Sequence, residues 1–240
     1  MSKLTDETCH LIEQASEEEQ RTILAYLRER VSLHPLETQW STTAEEILTA
    51  IARSSDLTLR GIRGVIAEGI FEKRLLPEIE ADGWNSAKIV GDQAYDFLIE
   101  RGESRVNIQV KLQRKQMNKR TGRVEPKEYG PKVRKRLNCP KGTMYAVEVQ
   151  KTRSGEKNGK KTRPYHFGDF DILAVNLQPA TGKWERFMFT VGSWLLPRAK
   201  EPDLIEIFQP VPITPDEYWT TDLSQCIEWS LSGEQKRIYS

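Results

Sequence analysis

Cysteine and histidine are scarce in this sequence, three of each in 240 residues. Cys9, Cys139 and Cys226 lie far apart and form no CxxC pair. That argues against a disulfide framework or a cysteine-ligated zinc, and for free thiols in a reducing cytoplasm. His10, His34 and His166 have no spacing that suggests metal ligation. Long apolar runs are missing as well. Nothing approaches the roughly 20 residues that a membrane-spanning helix needs, and the opening MSKLTDETCH has no signal-peptide core. The expectation is a cytoplasmic chain with no membrane partner. Net charge is almost absent, formally +1. What is present, 38% hydrophobic and 30% charged residues, suits one sizeable globular domain with room for a small appendage.

The near-zero net charge conceals a strong asymmetry. From Lys111 to Arg163 there are 18 Lys and Arg against 4 acids, which leaves 18 basic residues and 31 acids for the rest of the chain. Like charges at that density repel unless a polyanion neutralises them. A nucleic-acid phosphate backbone is the natural partner. The plainer reading is a solvated basic loop.

The basic block begins at the end of a stretch with its own pattern, GDQAYDFLIERGESRVNIQVKLQR, from Gly91 to Arg114. Tyr95, Phe97 and Ile99 alternate with Asp96, Leu98 and Glu100. After a turn at Arg101-Gly102-Glu103-Ser104, the residues Val106, Ile108, Val110 and Leu112 alternate with Arg105, Asn107, Gln109 and Lys111. Strand side chains switch faces at every residue, so Gln109 and Lys111 share one face and the apolar positions the other. With Asp96 beside them, the three form a compact site of one carboxylate, one amide oxygen and one ammonium. A hard divalent cation takes oxygen ligands. A neighbouring lysine can orient or deprotonate a water, or offset charge developing on a phosphate. The alternative is a half-exposed hairpin with a polar outer face.

Asp96 followed by Gln109-Val110-Lys111 resembles the PD-(D/E)xK nuclease superfamily, to which most type II restriction endonucleases belong. This sequence departs from that pattern in Tyr95, where proline is usual, and in Gln109, where an acid is usual. The resemblance covers roughly residues 56 to 210. It implies a restriction-endonuclease-like α/β fold, with a mixed central sheet flanked by helices. It implies Mg²⁺-dependent cleavage of double-stranded DNA. Asp96 and Gln109 would be metal ligands, the Val110 carbonyl would contribute, and Lys111 would position or activate the water. It further implies a homodimer, since cutting both strands of a palindrome calls for two sites. A DNA methyltransferase acting on the same site would accompany a restriction system. Members of the superfamily often carry a glutamate on the helix before the catalytic hairpin. Glu68 is the candidate here, with Glu72 the alternative. Arg114, Lys115, Lys119, Arg120 and Arg123 are the candidate DNA contacts.

Read in order, residues 1–55 suggest a helical subdomain for packing, dimerisation or clasping DNA, and residues 56–240 the nuclease-like domain. Ser16-Glu17-Glu18-Glu19 is a capping box opening a helix to about Val31. His34-Pro35 breaks it, and Ser41 or Thr42 caps a third helix. A long amphipathic helix is expected from Asp56 to Leu76, ended by Pro77. Its Gly61, Gly64 and Gly69 lower its stability and leave space for a sheet or for DNA. Asp92 reads as a turn residue. The basic block, rich in Gly and Pro, reads as a long excursion. Strands are expected within 143–152, 163–177, 184–191 and 204–209, a turn over 178–183, a polar turn at SGEKNGKK, and a short helix after Trp219. Glu148 and Gln150 share a strand face and form a rival pair. Asp169 and Asp171 more naturally flank a strand.

Overall fold

The computed structural model describes residues 2–31, 34–129, 135, 137, 139, 142–151, 156–157, 160–161 and 163–239. The described chain divides into two compact units, Met1–Arg60 and Gly61–Ser240, and the division falls inside a helix.

The first unit contains α1 (Lys3–Gln14), α2 (Glu17–Arg28), α3 (Pro35–Trp40), α4 (Ala44–Ala52) and the start of α5 (Asp56–Ile70). Ser16 and Glu19 form the expected reciprocal cap. The cap of α4 is Thr43, again paired with the glutamate three residues on. His34-Pro35 does more than break the chain. Pro35 occupies the first turn of α3, where a missing N–H is harmless, and the His34 ring accepts from the Leu36 amide. No described residue of α1 to α4 is buried. Leu4, Leu11, Leu24, Tyr26, Trp40 and Leu48 are all exposed.

In the second unit α5 does not stop at Pro77. It passes through a π-helical turn, Phe71–Leu75, into α6 (Leu76–Ala81). The Leu76 amide reaches five residues back to the Phe71 carbonyl. The reset places Pro77 in the first turn of α6, where proline is tolerated. The same turn aims Phe71 into the core, its ring 4.9 Å from Phe97 and 5.9 Å from Phe187. The glycines of α5 serve no close contact with a sheet: no described atom lies within 4 Å of a Cβ built at Gly61, Gly64 or Gly69.

The sheet follows β1 (Asn85–Ser86), β2 (Phe97–Arg101), β3 (Ser104–Leu112), β9 (Ile172–Asn176) and β10 (Phe187–Val191), in that spatial order. β2 and β3 form the expected hairpin, closed through Gly102, whose φ of +59° a tight two-residue turn requires. β3 runs parallel to β9, and every other neighbouring pair is antiparallel, so the sheet is mixed. β9 and β10 are buried along their whole length, as strands covered on both faces must be. α8 (Leu223–Ser232) packs on these two strands through Leu223, Cys226 and Ile227. The architecture is thus α/β, a central mixed sheet flanked by helices.

Between β3 and β9 the chain makes β4 (Lys115–Met117), β5 (Val124–Pro126), β6 (Met144–Glu148), β7 (Glu156–Lys157) and β8 (Lys160–Lys161). The basic block is therefore not wholly irregular: β4 and β5 pair as a hairpin at its start. Much of the remainder, including the tip of the SGEKNGKK turn, lies outside the described residues. β6 pairs with β11 (Phe208–Pro212) rather than with a strand at 204–209. The expected 178–183 turn includes the short helix α7 (Gln178–Thr181), closed by Gly182. No described helix is long and apolar enough to cross a membrane.

Gly192, just after β10, sits against the chain ahead of β9. Its amide donates to the Asp171 carbonyl at 2.7 Å, and a Cβ there would meet the Phe170 carbonyl oxygen at 2.4 Å. Backbone cannot yield as a side chain end can. Gly192→Ala is expected to destabilise the protein by about 2 kcal/mol in urea denaturation, whereas Gly64→Ala, with open space around it, is expected to be neutral or stabilising by up to ~1 kcal/mol.

Candidate active site

The site forms where β2 ends one step short of its partner. The Asp96 amide still donates to the Ile108 carbonyl, at 2.9 Å, in the manner of a strand residue. One step further the main chain of β2 is no longer alongside, and the Asp96 side chain takes over. Its Oδ2 accepts from the Val110 amide at 2.8 Å and from the Gln109 side-chain nitrogen. A strand residue points its N–H and C=O to the same edge. The Val110 carbonyl therefore faces this same gap, where it accepts from Gln109 Nε2 at 3.1 Å.

Gln109 is not on a solvent-facing surface. It is 2% exposed, on the strand face opposite Ile108 and Val110. Its oxygen accepts from the Tyr165 hydroxyl at 2.9 Å. Tyr165 is itself buried, in the segment leading to β9, with its ring edge-on to Phe170. The Lys111 ammonium lies 5.4 Å from the Tyr165 ring centroid, and that of Lys151 lies at the same distance. Glu68, in α5, lies near enough to Asp96 and Lys111 for their charges to act on it.

These charges feel one another. Burial pulls the Lys111 ammonium below its ordinary pKa, while the carboxylates of Asp96, Glu68 and Glu148 oppose the shift. Burial raises Asp96, against the pull of Lys111 and the Val110 hydrogen bond. Glu68 is raised by burial and by Asp96, with Lys111 opposing. The phenol of Tyr165 is pushed well above its ordinary range, first by burial and then by Asp96, Asp169 and Glu68. One ammonium among several acids in a partly water-excluded site is an arrangement suited to chemistry rather than to stability.

Glu72 is placed differently from Glu68. It lines an open cleft of about 390 Å³ with Glu80, Ser86 and Asp96, so the cleft reaches the candidate site through the aspartate. Asp92 is exposed. The rival pair, Glu148 and Gln150, do meet: the Gln150 amide donates to Glu148. Glu148 also holds Arg114 at 3.2 Å and Arg163 at 3.8 Å, and serves as their counter-ion. Asp171 clasps β3, accepting from the Asn107 amide at 2.8 Å, and Asp169 pairs with Lys151 at 3.6 Å.

The candidate DNA contacts divide into two sets. Arg114 is tied to Glu148 and its amide donates to Ala146. Lys115 is half-buried, its pKa drawn down by burial and by the neighbouring Arg63. Lys119, Arg120 and Arg123 are exposed around the β4–β5 turn. That turn is shaped by Asn118, whose side-chain oxygen accepts from the amides of Arg120 and Thr121.

Whether a divalent cation suits this site turns on the donor set. Among the described residues no group of three or more His, Cys, Asp and Glu is arranged to hold a metal. The Asp96 carboxylate and the Val110 carbonyl offer hard oxygens at one gap. Mg²⁺ asks for no more than one or two carboxylates, since it retains water. Gln109 fits once its amide is turned, because its nitrogen now faces Asp96 and its oxygen faces Tyr165. With that rotation the residues present fit a hard cation. Sequence reasoning missed Tyr165, which lies 56 residues from Gln109 along the chain in a segment without periodicity.

No protein-family model matches the chain, and no curated protein matches it. Among solved structures, it is similar to a bacterial homing endonuclease, I-Ssp6803I, at 21% identity over 57% of this chain and 68% of that chain, with a TM-score of 0.30.

The charge coupling has a measurable sign. Asp96 and Glu68 have raised folded-state pKa values, so their share of stability is fully present below their unfolded pKa and is lost as pH rises through the folded pKa. Removing the ammonium raises both further. Lys111→Met is therefore expected to lose roughly 1 kcal/mol more stability between pH 5 and pH 8 than the wild type loses, in urea titrations at the two pH values. Equal losses would mean that Lys111 does not sense the acids.

Proposed function

We propose that this protein is a Mg²⁺-dependent endonuclease of double-stranded DNA, of the PD-(D/E)xK type with Gln109 in the acid position. The observation that carries this reading is the meeting of the Asp96 carboxylate, the Val110 carbonyl and the Gln109 amide at one gap beside β3, with Lys111 and Glu68 near enough for their charges to act on one another and on Asp96. Asp96, the Gln109 oxygen and the Val110 carbonyl would hold the cation, with Glu68 reaching it through water. Bound there, the cation would supply Lewis-acid stabilisation of charge on the phosphate and acidify a water. Lys111 has its own part. Burial disfavours its charged form, which would make the free amine more available than that of an ordinary lysine, and its ammonium form would offset charge developing on the scissile phosphate.

Binding falls to the basic block. The exposed Lys119, Arg120 and Arg123 would meet phosphates or base edges, while Arg114 and Arg163, both paired with Glu148, would add positive charge nearer the site. The first unit is unsuited to that role, with 11 acids against 6 Lys and Arg over residues 1–60. Its exposed apolar helix faces suit a second copy of the chain, and a homodimer would bring two sites to one duplex. A restriction role, with a partner methyltransferase in the cytoplasm, is the specific form of the reading. A repair or structure-specific nuclease is another.

A second reading rests on Gln109. Its nitrogen already satisfies Asp96, so the site is closed on itself without a cation. That suits a DNA-binding protein that does not cut.

Incubation with unmethylated phage DNA, with Mg²⁺ or with EDTA, separates the readings. Discrete Mg²⁺-dependent fragments are expected, and Lys111→Ala should abolish them while leaving the mobility shift of the DNA intact. A salt-sensitive shift without cleavage in any condition would favour the second reading. Replacing Lys119, Arg120 and Arg123 together by Gln is expected to weaken binding and to lower the slope of log affinity against log salt by about 3, measured by fluorescence anisotropy.

A further inference from the structure

The Tyr165 hydroxyl has a single hydrogen bond among the described residues, to the oxygen of Gln109. Both side chains are buried, so neither partner can exchange the other for bulk water. The opposite end of the same amide donates to the Asp96 carboxylate and to the Val110 carbonyl. The amide is thus held in one orientation by three groups, and in that orientation it presents a nitrogen, not an oxygen, to the gap.

An amide can reverse by rotating half a turn about its last side-chain bond. The oxygen then enters the gap beside Asp96, and the nitrogen faces Tyr165. A hydroxyl is both donor and acceptor, so Tyr165 can receive the N–H where it previously gave its O–H. A phenylalanine at this place could do neither. The reversed amide would then carry buried N–H groups with no partner, a worse outcome than the unpaired oxygen left in the original orientation.

We propose that Tyr165 is a positioning residue for Gln109, a latch that holds the amide nitrogen toward Asp96 in the cation-free site and accepts that nitrogen when a divalent cation draws the oxygen inward. This rests on the proposed reading that Asp96 and Gln109 hold a cation. In this scheme the amide serves as a gate. The site satisfies its own polar groups when empty, and on reversal the buried amide N–H meets the phenol oxygen instead of an apolar ring edge. A carboxylate at position 109 would need no such latch, because its two oxygens are equivalent.

The test is a double-mutant cycle read by calorimetric titration of Mn²⁺ alone into the full chain. Tyr165→Phe keeps the ring and removes the hydroxyl. It is expected to weaken Mn²⁺ binding about tenfold, in the range found for outer hydrogen-bond partners of metal ligands. Gln109→Glu provides the second background, in which adding Tyr165→Phe is expected to change the affinity by less than about twofold. A merely structural tyrosine would weaken both backgrounds alike, and that result overturns the latch. So would an unchanged affinity in the single Tyr165→Phe variant. Failure of the wild type and of Gln109→Glu to bind any Mn²⁺ would instead overturn the cation reading, and the latch with it. Circular dichroism of each variant separates loss of binding from loss of fold. Should Tyr165→Phe fail to fold, Tyr165→His, with a ring nitrogen able to give or take a hydrogen bond, is expected to retain binding in the Gln109 background, and a loss there as large as in an apolar Tyr165→Leu variant counts against the proposal.

Discussion

The bond from the Val110 amide to the Asp96 carboxylate, 2.8 Å long, is the constraint on which the candidate site depends. A strand edge that loses its neighbour leaves a donor and an acceptor exposed at each alternate residue. Here the donor is capped by the Asp96 carboxylate and the acceptor is covered by the Gln109 amide. Two consequences follow. Asp96 is fixed in position by the sheet itself, and its carboxylate and the Val110 carbonyl bring two oxygens to the gap beside β3. Neither depends on a flexible loop, so the site inherits the rigidity of the hairpin and of the parallel β3–β9 pairing behind it.

That rigidity is combined with unfavourable electrostatics. β3 is a central strand, and its polar face is covered at Gln109 and half-covered at Lys111. Desolvation dominates the shifts of Lys111, Asp96 and Glu68, and their mutual attraction offsets it only in part. Such a cluster is tolerated because the rest of the domain is apolar and well covered. β9, β10, Phe71 and α8 supply the burial that the polar site subtracts. The π-helical turn belongs to the same account: it aims Phe71 at the sheet and lets α5, with Glu68, run on past a proline.

Charge is segregated along the chain as well as within the site. The basic block opens at Lys111, and its first structured part is the β4–β5 hairpin with three exposed cations around its turn. Glu148 anchors the inner cations and leaves the outer ones to solvent. The acidic first unit, with its exposed apolar side chains, stands apart in composition from this surface.

The sequence by itself determined the local pieces. Period-two alternation marked the β2–β3 hairpin and its turn, Ser16 and Glu19 marked a helix start, and the placing of Gln109 and Lys111 on one strand face followed from geometry alone. Local rules were weaker where a tertiary contact intervened. Pro77 did not end its helix, because a π turn shifted the hydrogen-bond register under the pull of Phe71 toward the sheet. The last strand formed at Phe208–Pro212, where it could pair with β6, rather than at the more strand-like residues before it. Only the tertiary structure decided that Gln109, on the polar face of β3, is buried and that Asp96 caps Val110. The same holds for the direction of the Gln109 amide toward Asp96 and for the Tyr165 hydroxyl that holds its other end. The physical reason is the same in each case. Periodicity reports which side a residue faces, but what stands on that side comes from chain far away in sequence, and hydrogen-bond direction is settled only when those distant groups meet.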